Sequence, residues 1–131
     1  MAIFDKIDKI IEVLDDAGIE DLKSIIDNDF DPIPTDEYPT CVVLPTKTNT
    51  IKNVFGMRLA EDLITITVFE YVIQKSDVST ARRTAKRLFD IVMSTISEKI
   101  NFFATSDVEY IETVFGKSRI TGVMVTIKIN Q

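Results

Sequence analysis

The stretch Asp62-Leu-Ile-Thr-Ile-Thr-Val-Phe-Glu-Tyr-Val-Ile73 decides the fold. Its residues alternate with a period of two, the signature of a strand. One face carries Ile64, Ile66, Val68 and Val72, interrupted by Glu70. The other carries Leu63, Thr65, Thr67, Phe69, Tyr71 and Ile73. The first face is expected to meet a layer of helices. The second is too aromatic for bulk water, so a partner is expected to cover part of it.

Downstream, Gln74-Lys75-Ser76-Asp77 leads into an amphipathic helix over 79–99, with Ser79 or Asp77 as its cap. Ala81, Ala85, Leu88, Phe89, Val92, Ile96 and Ile100 form its apolar stripe. Two strand-like runs, 108–115 and 119–129, then form a hairpin around Gly116-Lys117-Ser118. In the second run Val123, Val125, Ile127 and Ile129 share one face.

Upstream, Ile3, Phe4, Ile7, Ile10, Ile11 and Leu14 recur at helical spacing over 3–16, and Gly18 supplies a left-handed cap. Residues 19–26 fit either a short helix or, over Leu22–Ile26, an edge strand. From Asp27 to Pro39, three prolines and five acids predict an irregular loop. Thr40–Leu44, bounded by Pro39 and Pro45, reads as a buried strand. Thr46–Asn53 reads as an exposed, mobile loop. Val54–Leu59 reads as a short strand that turns at Ala60-Glu61-Asp62 to pair with 62–73. The sum is a single α+β domain over 1–131: a mixed, mostly antiparallel sheet of four or five strands packed against two main helices.

Composition narrows the function. The 131 residues suit one domain, and 45% hydrophobic with 27% charged residues is ordinary for a folded chain. The formal charge is −6, from 21 acidic and 15 basic residues, which argues against a dedicated nucleic-acid binder. Without histidine the chain lacks the commonest general base and metal ligand. Cys41 has no second cysteine to pair with, and the acid-interrupted start is unlike a signal peptide. No apolar run reaches the roughly 18 residues of a membrane span. A soluble chain made in the cytoplasm is the expectation.

Candidate chemistry is sparse. Gly116-Lys117-Ser118 resembles the end of a phosphate-binding loop. Ile111 stands where that loop needs glycine, and a strand follows where it needs a helix. Asp27-Asn28-Asp29-Phe30-Asp31 alternates oxygen ligands as a calcium loop does, but Pro32 and Tyr38 replace the glycine and the bidentate glutamate. The pairs Asp15-Asp16 and Glu61-Asp62 sit at expected element ends, where acids cap or solubilise. Cys41, inside a Val/Leu run, reads as a buried inert thiol.

One charged feature has two readings. Arg82, Arg83, Lys86 and Arg87 crowd the end of the helix where the dipole disfavours cations. They form either a solvated face, with Asp90 pairing Lys86 or Arg87, or a contact to carboxylates of another copy or partner. Acids of the 27–37 loop on a neighbouring copy are candidate mates. Phe69 and Tyr71 are likewise either core or interface.

The whole layout resembles a known family. It runs from an N-terminal amphipathic helix through Tyr38-Pro-Thr-Cys-Val-Val-Leu-Pro45, a polar loop and Glu61-Asp-Leu-Ile-Thr-Ile-Thr-Val68 to a helix opening Ser79-Thr-Ala-Arg-Arg and a final hairpin. This is similar to the tail terminator, or tail completion, proteins of long-tailed bacteriophages and prophages. The resemblance implies a structural virion protein and not an enzyme, with no catalytic residues, metal or cofactor. It implies a homo-oligomeric ring, usually a hexamer, that caps the tail tube, ends polymerisation and meets the head–tail connector. DNA would pass through without specific binding, and no membrane is involved. The chain would assemble in the host cytoplasm and end at the head-proximal end of the virion tail. The 46–53 loop, with Lys47, Asn49 and Lys52, would reach the adjoining tube ring. Two other readings stand beside it: a neck or connector-side adaptor of the same virion, and a small metal-independent enzyme.

Overall fold

The structure is a computed structural model that describes residues 2–27, 34–52, 58–74, 77–115 and 118–130. Helix α1 spans Ile3–Ala17 and ends on Gly18, whose φ of 58° is the left-handed cap its sequence calls for. Strand β1, Ser24–Ile26, pairs in parallel with Thr40–Val42 at the start of β2, Thr40–Lys52. The ambiguous 19–26 segment is therefore an edge strand at its end. A 3₁₀ turn covers Thr35–Glu37, within the segment read as irregular. Strand β3, Arg58–Val72, runs antiparallel to β2. Helix α2, Val78–Lys99, follows, then β4 (Phe102–Ala104), β5 (Glu109–Phe115) and β6 (Ser118–Ile129).

The sheet order is β1-β2-β3-β6-β4, and β5 shares the outer side of β6 with β4. Among the described residues there are six strands, one more than the upper expectation. Two three-residue edges are added, β1 where 22–26 left an edge strand open and β4, too short to announce itself by alternation, while Arg58 and Leu59 belong to β3 and not to a strand of their own. The α+β class, the mostly antiparallel sheet and the packing of helices on it are as the alternation predicts.

Both helices lie on one face of the sheet. Ile7, Ile10 and Leu14 of α1 and Ala85, Leu88, Phe89, Val92 and Ile96 of α2 form one core with Ile64, Ile66, Val68, Val123, Val125 and Ile127. At about 25 cal/mol per Å² of apolar area, this two-layer contact is the main source of stability. The opposite face holds a second, smaller core of Tyr38, Val42, Phe69 and Ile120, flanked by Leu44, Tyr71 and Ile111. Phe69 is shielded within the chain, packed with Tyr38, Val42 and Ile120 and 1% exposed, while Ile73, of the same alternating set, is 78% exposed.

Two more expectations fail together around residues 46–62. Thr46–Lys52 is not a loop but the second half of β2, and Ala60-Glu61-Asp62 is not a turn but the interior of β3. Pro45 does not end β2 because it stands at a register shift, after which the ladder resumes at Lys47↔Leu63. Beyond Val42 the outer side of β2 has no β1 partner, so the missing proline N–H disrupts no second ladder. The threonines of 46–50 suit an exposed strand as well as a loop. Asn53 and 54–57 lie outside the described residues.

Candidate assembly surfaces

Register shows how far the β2–β3 ribbon projects. β6 stops pairing with β3 at Leu63↔Lys128, whereas β2 and β3 continue through Thr48↔Asp62, Asn49↔Glu61, Thr50↔Ala60, Ile51↔Leu59 and Lys52↔Arg58. These five pairs make a two-stranded arm about 17 Å long at the usual strand rise. Such a ribbon is marginally stable alone. Its base is pinned to the body. The Lys6 Nζ on α1 donates to Asp62 Oδ2 at 2.9 Å, and the Thr48 hydroxyl donates to Asp62 Oδ1 at 2.8 Å. Burial alone would push the Asp62 carboxyl up. The hydrogen bonds from Lys6 and Thr48 and the Lys6 charge outweigh it and hold the group below its ordinary value. Glu61, reaching the other way, lies 3.8 Å from Lys128 Nζ.

The sequence reading of Glu61-Asp62 as a solubilising pair at an element end is therefore wrong. A signal was present: Asp62 shares parity with Ile64, Ile66 and Val68, so alternation places it on the helix-facing side. Asp15 and Asp16 do lie at the exposed end of α1.

The basic start of α2 is mostly compensated within the chain. Arg82 pairs with Glu112 of β5, Arg87 Nη2 lies 3.3 Å from Asp21, and Lys86 Nζ lies 2.6 Å from Asp90. The Asp90 hydrogen bond raises the Lys86 pKa above its ordinary value. Three of the four cations are thus paired within the chain, and Lys86–Asp90 is the pair that the solvated-face reading named. Arg83 is exposed and has no ion pair among the described residues. Asp77 occupies the cap position without a side-chain hydrogen bond, and the helix begins at Val78 instead of Ser79.

The structure separates the proposed aromatic pair. Phe69 is core. Tyr71 is half-buried beside Tyr38, with ring centroids 6.0 Å apart. The Tyr38 hydroxyl is buried without a hydrogen-bond partner among the described residues, and burial raises its pKa. Lys47 is exposed at the foot of the arm, opposite Leu63, while Asn49 and Lys52 are placed on the arm by backbone register alone. The residues that sequence reasoning missed lie at the sheet edge: Tyr110 and Val114 of β5 are 56% and 60% exposed, and Val108 is 45% exposed. Their pattern reads as an ordinary hairpin strand, and only the topology reveals an uncovered edge.

The two grooves beside α1 are lined, among the described residues, by lysines, carboxylates and amides. A groove of ≈ 560 Å³ between α1 and α2 is lined by Lys9, Glu12, Asp16, Glu98 and Lys99 among others. A neighbouring cleft of ≈ 250 Å³ holds Lys6, Lys9, Lys99, Asn101 and Asn130. Its lysine nearest the core, Lys6, is already committed to Asp62. Cys41 is fully buried, which pushes its thiol up to about 12. Among the described residues no group of three or more Cys, Asp or Glu side chains could hold a metal, and no helix is long and apolar enough to cross a membrane. The calcium-like run beyond Asp27 and the Gly116-Lys117 dipeptide lie outside the described residues. The pairing Phe115↔Ser118 leaves two residues between the strands, as a hairpin turn requires.

No protein-family model matches the sequence, and no curated protein is similar enough to serve as a relative.

Proposed function

We propose that this chain is a structural assembly protein of a long-tailed bacteriophage or prophage, a tail terminator that caps the tail tube as a homomeric ring and offers a joining surface to the head–tail connector. The single observation that carries the reading is the projecting β2–β3 arm on a rigid two-layer body. A ribbon whose outer edges pair with no strand among the described residues is suited to bridging subunits, since its outward backbone groups are left to a partner. The uncovered apolar edge of β5 and the exposed Arg83 add further surface suited to a protein partner. The net charge of −6 suits a ring through which DNA passes without being retained.

The proposal is tested by light scattering on the purified chain across concentration, with electron microscopy of the particles alone and mixed with tail tubes. Closed rings, free or at tube ends, are expected. A chain that stays monomeric at every concentration and leaves tube ends bare would sink the reading.

A further inference from the structure

We infer that the free outer edge of β5 receives the β2–β3 arm of a second copy of this chain, by strand addition. The inference rests on the self-assembly reading above and names the contact that would make it.

The receiving side is defined by register. β5 pairs with β6 from Glu109↔Met124 to Phe115↔Ser118, and among the described residues no strand lies on its other side. In a hairpin whose closing pair is separated by two residues, that pair exchanges both backbone hydrogen bonds, and hydrogen-bonded pairs then alternate along the strands. Thr113 and Ile111 therefore bond to β6. Tyr110, Glu112 and Val114 turn their N–H and C=O groups to the open edge. The Tyr110 and Val114 side chains are more than half exposed. Edges of this kind are normally covered, kinked or guarded by proline, and β5 has no proline.

The donating side is the arm. Over 58–62, β3 has β2 on one side and no strand on the other among the described residues. The arm cannot satisfy its own chain's β5, because β6 lies between β3 and β5 in the sheet. The contact must join two molecules.

Charge selects the occupant. By register the outer end of the arm carries Lys52 and Arg58, while the acids at its base, Glu61 and Asp62, are paired within the chain to Lys128 and Lys6. The β5 edge opens with Glu109, preceded by Asp107, whereas its Glu112 is tied to Arg82. A basic arm end and an acidic start of the β5 edge on one sequence are complementary between copies. Because arm and edge are different surfaces, the contact is heterologous, and it generates a ring where the rotation between copies closes.

The test uses the full chain. Val114→Pro removes an outward N–H that β6 does not use, so the fold should survive. Thr113→Pro removes a bond to β6 and should destabilise it. Sedimentation velocity should show Val114→Pro assembling only at a concentration raised by roughly tenfold or more, the effect of one lost intermolecular hydrogen bond. Independently of any variant, amide exchange on the wild-type chain should show Tyr110, Glu112 and Val114 gaining protection on assembly. Folded Val114→Pro that assembles like wild type, or wild-type assemblies whose β5 amides exchange as fast as in the monomer, would overturn the arm-to-edge contact and leave the ring standing. Absence of any wild-type assembly, free or on tubes, would overturn both.

Discussion

Lys6 Nζ and Asp62 Oδ2 meet 2.9 Å apart, with both side chains almost wholly buried, so that the first helix holds the arm at the point where it leaves the sheet. Removing one partner leaves a buried charge alone. Lys6→Met or Asp62→Leu should each cost about 3 kcal/mol, whereas the double replacement should recover most of that loss. Chemical denaturation of the three variants gives the cycle. Equal, additive losses would show that the pair is not coupled. The same pair sets a pH dependence. The Asp62 carboxyl titrates lower in the folded chain than in the unfolded one. Its contribution is therefore full above the ordinary carboxylate range and is lost as pH falls through the depressed value. Asp62→Asn should flatten the acid limb of the stability curve.

Gly122 faces Phe69 across the β3–β6 ladder, and the ring occupies the space a side chain would need. A Cβ at Gly122 would stand 2.6 Å from Phe69 Cδ1 and 2.8 Å from Cε1. Gly122→Ala should destabilise by roughly 1–3 kcal/mol through overpacking of the smaller core. Adding Phe69→Leu, which withdraws the ring, should cost less than the two single changes summed. Thermal melts of the four proteins decide this. Full stability in Gly122→Ala would mean that the second core yields freely.

Arg83 is the member of the basic cluster with no ion pair among the described residues. The other three form exposed pairs, each worth at most about 1 kcal/mol. Arg83→Glu should leave the melting temperature within about 2 °C of wild type. It should weaken assembly most at low salt, where a charge-reversed contact is least screened. Assembly with the wild-type midpoint and salt dependence would remove Arg83 from the interface.

The sequence made the layers legible and the ribbon illegible. Alternation in 62–73 and in 119–129, and the stripes of 3–16 and 79–99, each bury an apolar face, and burial is what periodicity encodes. Residues 46–52 offer a single apolar side chain, Ile51, and so no stripe to read. Thr46–Lys52 therefore looks like a loop, and Pro45 looks like its border. Only the register shift after Pro45 lets the strand continue. The pairing of Lys6 with Asp62 joins residues 56 positions apart, beyond the reach of any local pattern, although the parity of Asp62 marked its face. Two partners of the basic cluster, Glu112 and Asp21, lie 30 and 66 positions from their arginines, and only Asp90, one turn from Lys86, was readable in advance.

The most direct test of tube capping is the length distribution of tail tubes polymerised from purified tube protein with and without this chain, read by electron microscopy. The account predicts tubes that stop growing when the chain is added, each with extra ring density at one end, and a terminated fraction that saturates at one ring per tube. Tubes that keep elongating past their unsupplemented length, with no density at either end at saturating chain, would contradict it.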